Sequence, residues 1–158
     1  IEAGRKNLLL LSGTQNLNLP AELREKAFMD VCREEKINGI EFFSSEIQFE
    51  TQDYELWITD ILLSHPEVDG VFATSDVIAA QVIRACHKLG RCIPRDISLI
   101  GFDDVEISAL TSPSLTTIHQ PIEQMCFYAI DEIVKKLKGE SVPDKIVLPV
   151  TLVERESV

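Results

Sequence analysis

The feature that most constrains this chain is a recurrence. Short apolar runs, each ended by a small or polar residue, return roughly every 30 residues with a helical pattern between them. The runs are residues 6–12 (KNLLLLS), 39–43 (GIEFF), 68–74 (VDGVFAT) and 97–102 (ISLIGF). Each is too short for a helix of three turns and too continuously apolar for a half-exposed strand, so each reads as a strand buried on both faces. After Pro20, the residues Leu23, Ala27, Phe28, Val31 and Cys32 keep helical spacing as far as Lys36. Tyr54, Trp57, Ile58, Ile61 and Leu62 do the same behind a Thr51 cap and stop at Pro66, and a third helix starts at Ser75 and Asp76 and runs to Leu89 before Gly90. Four strands separated by three helices predict an α/β fold, a parallel doubly wound sheet flanked by helices on both faces.

Beyond the fourth strand the pattern loosens. Residues 103–114 are polar and turn-rich with room for a short helix, and 115–119 are extended. Pro121 then opens a helix over 121–138, with Ile122, Met125, Ala129, Ile130, Ile133, Val134 and Leu137 on one face and Gly139 as its stop. Residues 145–155 read as extended, with Pro149 at an edge or a bend.

A chain of 158 residues that is 45% hydrophobic suits one compact domain, and no apolar run is long enough to span a bilayer. The formal net charge of −11 argues against a grip on phosphate backbones, so any DNA contact lies elsewhere. Cys32, Cys86, Cys92 and Cys126 show no Cys-x-x-Cys spacing, and all but Cys92 sit in apolar helical patterns. They read as buried free thiols of a cytoplasmic protein. No signal-peptide pattern follows Ile1, and the opening residues read as the end of something longer.

In a doubly wound sheet, ligands bind outside the C-terminal ends of the strands. The residues just past those ends are Gly13-Thr14, Ser44-Ser45, Ser75-Asp76 and Asp103-Asp104. Arg24, four and eight residues before Phe28 and Cys32, leans toward the same rim and needs a partner there. The seven glycines are spaced too widely for a dinucleotide or Walker loop, there is no Gly-x-Ser-x-Gly elbow, and His65, His87 and His119 lie on unrelated elements. Asp103-Asp104 could hold magnesium, but Ser12 and Gly13 stand on the first strand where such sites carry acids. No catalytic residue, cofactor or metal is therefore assigned. Carboxylates, a guanidinium, hydroxyls and an aromatic, Phe49, instead suit a small polyol.

Two longer stretches are more specific. Residues 70–80 (GVFATSDVIAA) followed by 93–104 (IPRDISLIGFDD), then 113–121 (PSLTTIHQP) and 148–157 (LPVTLVERES), are similar to the lactose-repressor family over the whole chain. The resemblance implies the C-terminal lobe of a periplasmic-binding-protein-like (type I) two-lobe domain: residues 6–119 and 145–155 in that lobe, and the helix 121–138 in the other. It also implies a sugar-responsive transcriptional regulator of a carbohydrate operon that works as a homodimer and meets operator DNA through a headpiece absent from this chain. Ribose and sucrose are candidate sugars.

By that resemblance Arg24, Phe49, Ser75, Asp103 and Gln120 contact the effector, while Ile78, Val82 and Ile107 lie on the dimer surface. Each assignment has a plainer rival. Ser75 with Asp76, and Gln120, are also placed to cap helices. Phe49 could be core, and Arg24 could form a structural ion pair with a rim carboxylate. A sugar-binding component of a transport system shares the architecture and is the alternative function. The four thiols and the motifs Gly101-Phe102-Asp103-Asp104 and Val153-Glu154-Arg155-Glu156-Ser157 favour the regulator.

Overall fold

A computed structural model describes residues 3–13, 19–44 and 54–158, the side chains of 19–21 excepted. The predicted alternation is present: β1 (Asn7–Ser12), α1 (Leu19–Glu34), β2 (Asn38–Phe43), α2 (Tyr54–Ser64), β3 (Gly70–Ala73), α3 (Asp76–Lys88) and β4 (Ser98–Asp103). After them come α4 (Ile107–Leu110), β5 (Thr116–His119), α5 (Ile122–Leu137) and β6 (Thr151–Val153). The sheet has six strands rather than four, in the order β2-β1-β3-β4-β5-β6. Extended residues 115–119 add a fifth parallel strand, and only three residues of the expected stretch 145–155 pair, antiparallel to β5.

The strand order reverses beside β1, which pairs with β2 on one side and β3 on the other. Flanked on both sides, β1 buries Leu9, Leu10 and Leu11 completely, each worth about 2 kcal/mol of transfer free energy. Alternation sends Leu9 and Leu11, with Val71, Ala73 and Leu99, against Ile58, Ile61 and Leu62 of α2 and Ala79 and Val82 of α3. On the opposite face α1 lies close over β2. A Cβ at Gly39 would sit 2.7 Å from the Cys32 sulfur, so the absent side chain is what permits the approach.

The expected cover on both faces is incomplete. Past α1, the face carrying Leu8, Phe72 and Ile100 lines a cavity of about 520 Å³ together with Phe28 and Arg5, because α1 is the one helix that packs on this side among the described residues. None of the residues of α5 is buried. That corrects one thiol: Cys32 and Cys86 are buried as expected, but Cys126, on α5, is exposed like Cys92. Burial pushes the Cys86 thiol up to about 11. Among the described residues, no helix is long and apolar enough to cross a membrane.

The C-terminal segment is pinned rather than trailing. Ser157, fully buried, accepts the Thr116 N–H at 2.8 Å and donates to the Leu99 carbonyl at 2.6 Å. The Glu156 carboxylate accepts both the backbone N–H and the hydroxyl of Ser114 at 2.9 Å. One residue of β4, the first residue of β5 and one on the approach to β5 are thereby tied to the tail.

Candidate functional site

The C-terminal strand ends form a connected polar rim at the point where strand order reverses, the position doubly wound sheets use for ligands. Thr74 and Ser12, ending neighbouring strands β3 and β1, are both buried, and the Thr74 hydroxyl donates to Ser12 Oγ at 3.4 Å. Ser12 in turn donates to Glu25 Oε1 at 3.3 Å. The Glu25 carboxyl is pushed up, chiefly by burial and also by Glu41 and Glu22, against the opposing hydrogen bond from Ser12.

Arg24 reaches across this rim from the start of α1. Its guanidinium lies 3.9 Å from the centroid of the Phe102 ring, a cation–π contact, and Nη1 donates to the Thr74 carbonyl at 3.5 Å. The carboxylate partner expected from the sequence is Asp103, felt as a charge and not bound as an ion pair. Burial lowers the Arg24 pKa more than Asp103 restores it.

Asp103 and Asp104 both have positive φ, 111° and 58°. Backbone of this kind costs about 1–3 kcal/mol per residue where glycine is absent and collects at functional sites. Their carboxylates are treated oppositely. That of Asp103 is pushed up, first by burial and then by Asp76, although Gln120 donates to Oδ1 at 2.7 Å and Arg24 is near. That of Asp104 is held down: burial opposes ionisation, but donors from Arg155 at 2.7 Å, His119 at 2.9 Å and Ser108 at 3.2 Å outweigh it.

The sequence-predicted residues therefore divide. Arg24, Asp103 and Gln120 come together. The Gln120 side chain goes to Asp103 and not to the start of α5, whose cap makes no side-chain bond. Ser75 caps α3, its Oγ accepting the Ile78 N–H at 3.3 Å. Phe49 and Thr51 lie outside the described residues.

The dimer assignment needs correction. Ile78 and Val82 are 5% and 0% exposed, because the 3.6-residue period turns them toward the sheet, and they offer no surface. Ile107 is exposed, and Val77, Val105 and Leu110 present further apolar groups nearby. Among the described residues, no group of three His, Cys, Asp or Glu could hold a metal.

Sequence reasoning missed Thr74 and Phe102, and placed Asp76 at the rim as a helix cap and not as the anchor beneath them. This carboxylate is fully buried, accepting the Thr117 hydroxyl and, at 2.9 Å, the Val105 N–H. Its space exists because Gly101 has no side chain. A glycine inside an apolar strand was the one available signal.

Over its whole length, residues 1–158, the chain matches the model of the periplasmic binding protein-like domain. The chain belongs to that family. Its relatives are regulators. It is 31% identical to the ribose operon repressor of Halalkalibacterium halodurans and 28% identical to the sucrose operon repressor of Streptococcus mutans, over 99% and 98% of this chain. It spans about half the length of these relatives, 46% and 47%. Among solved structures, a periplasmic binding protein/LacI transcriptional regulator from Alkaliphilus metalliredigens, complexed with D-xylulofuranose, superposes with a TM-score of 0.81 at 35% identity, over 99% of this chain and 58% of that one. The lactose-repressor resemblance and the α/β lobe read from the sequence are thus those of the family.

Proposed function

We propose that this chain is half of the effector-sensing domain of a sugar-responsive transcriptional repressor, and that its rim holds one side of a sugar. The observation that carries the reading is the convergence of Arg24, Phe102, Asp103 and Gln120 at the reversal of strand order. A guanidinium fork and a carboxylate each hold neighbouring hydroxyls, and binding a sugar replaces the Gln120–Asp103 bond with bonds to ligand. Each of these groups is of a kind that holds hydroxyls or stacks on a sugar face, which supports binding over catalysis.

In this reading residues 6–119 and 145–155 form one lobe, α5 packs into the other, and sugar bound between them selects one lobe orientation. The headpieces that meet operator DNA lie in the longer cytoplasmic protein, which dimerises through Ile107, Leu110, Val105 and Val77. Kinship with operon repressors, together with free thiols, favours this over a transport component. A pentose in furanose form is the favoured ligand, because one relative is a ribose operon repressor and a solved neighbour is complexed with D-xylulofuranose.

The test is thermal unfolding of the full-length protein with D-ribose, D-xylulose and sucrose. A true effector at a hundredfold excess over Kd adds about 2.7 kcal/mol, and Arg24→Ala or Asp103→Asn removes that gain. No shift with any sugar, or an unchanged response in both variants, refutes the assignment.

A further inference from the structure

The chain leaves the sheet after His119 and returns at Thr151, and everything between, α5 included, is an excursion away from the lobe. Both ends of that excursion are held by one group. Asp104 Oδ2 takes His119 Nδ1 at 2.9 Å, from the outgoing end, and Oδ1 takes Arg155 Nη2 at 2.7 Å, from just beyond the returning strand. The same Oδ1 accepts the Ser108 hydroxyl from α4, and Arg155 Nη1 donates to that hydroxyl at 3.1 Å and to the Leu115 carbonyl at 2.8 Å.

We propose that Asp104 is a positioning residue: a clamp that fixes the outgoing strand end, the returning segment and α4 relative to one another, and through its peptide link to Asp103 passes a change at the rim to all three together. The geometry favours transmission over a purely local role. Asp103 and Asp104 are adjacent and both at positive φ, so a backbone rotation that re-aims one carboxylate also re-aims the other. Gln120, bonded to Asp103, is the neighbour of His119, bonded to Asp104, so each half of the outgoing link is tied to one of the two acids.

The consequence for signalling rests on the proposed sugar reading, but the clamp is tested without any sugar. Amide hydrogen exchange on the 158-residue chain reports local opening. His119→Ala is expected to speed exchange at Ser108, Thr111 and Arg155, none of which His119 contacts, by about threefold or more, the size of coupling seen within one network. His119→Asn, whose amide can occupy the Nδ1 position, restores protection. Asp104→Asn is expected to speed exchange at all three sites by about tenfold, leaving Ile61 and Val82 in the core unchanged. If His119→Ala alters only residues 118–120, or His119→Asn fails to restore the remote sites, the clamp is wrong. That pair decides the question even if Asp104→Asn does not fold. Failure here leaves the sugar site standing, and failure of every sugar to bind leaves the clamp standing.

Discussion

Gly101→Ala tests the floor of the site. The added Cβ would fall on the Asp76 carboxylate, 2.8 Å from Leu115 Cδ2 and 3.2 Å from Thr117 Oγ1. None of these can step aside cheaply. Leu115 and Thr117 are fully buried, and Asp76 is held from two sides, by the Thr117 hydroxyl and the Val105 N–H. Overpacking alone costs about 2 kcal/mol. Displacing a buried carboxylate from one of its donors adds about 1 kcal/mol, for a total of about 3 kcal/mol. For a chain of this size that is a fall of about 9 °C in the melting midpoint. Thr117→Val, which removes the donor at almost constant volume, should cost about 2 kcal/mol by leaving Asp76 Oδ1 unpaired. Since both substitutions act through the same carboxylate, the double variant should fall short of their sum by about 1 kcal/mol. Urea unfolding followed by far-ultraviolet circular dichroism and Trp57 fluorescence measures all three. A Gly101→Ala variant within about 0.5 kcal/mol of wild type, inside the range of ordinary surface changes, would refute the close approach, and strict additivity would refute the shared carboxylate.

The two adjacent acids predict opposite pH behaviour. Asp103, pushed up in the folded state, favours folding while protonated and loses that contribution as pH rises through its folded pKa, so Asp103→Asn should melt no lower than wild type at pH 7. Asp104, held down, contributes above its unfolded pKa and loses the contribution as pH falls through its folded one; Asp104→Asn should melt lower at pH 7, with the difference shrinking in acid. Ser157→Ala should cost about 1–3 kcal/mol in urea unfolding, since it leaves the Thr116 N–H and Leu99 carbonyl without their partner. A thiol reagent should modify Cys92 and Cys126 at once and Cys32 and Cys86 only on unfolding, as read by mass after a timed quench. Leu110→Glu, at a residue 74% exposed, should leave the melting midpoint unchanged yet shift the full-length protein toward monomer in sedimentation.

What was legible in the sequence followed from periodicity. The runs over β1 to β4 and the spacing of Ile58, Ile61 and Leu62 on α2 can satisfy their burial in only one way, so class and order could be read directly. β5 was harder. Its residues Thr116 and Thr117 are polar by type, and they are buried because Ser157 and Asp76 supply the bonds, from 41 residues away in each case. Ile78 and Val82 show the same limit from the other side. An apolar residue on a helix reads equally as core or as interface until the position of the sheet is known. Arg24 and Asp103 were placed at the rim by helical spacing and strand ends and Gln120 by family resemblance, whereas Thr74 and Phe102, which actually hold the guanidinium, contact it through a backbone carbonyl and a ring face, neither of which leaves a pattern in sequence.

Under the proposed sugar reading and the proposed clamp, Asp103 and Asp104 meet different requirements at one strand end. A group kept for a ligand must remain incompletely satisfied before the ligand arrives, and that incompleteness destabilises the fold. Asp103 carries this cost: burial and the nearby Asp76 disfavour its charge, and a single side-chain amide, from Gln120, compensates in part. Asp104 meets the opposite requirement, with donors from Arg155, His119 and Ser108 that hold the strand end in place while its neighbour is unsatisfied. Exchanging their environments should therefore fail in both directions. An extra donor beside Asp103 would stabilise the protein and weaken its response to sugar, while removing Arg155 would leave Asp103 chemically intact but poorly aimed. Arg155→Met, measured for sugar affinity against melting midpoint, separates these effects: affinity should fall although no atom of Arg155 is proposed to touch the ligand, and unchanged affinity would show that the rim holds its geometry without the clamp.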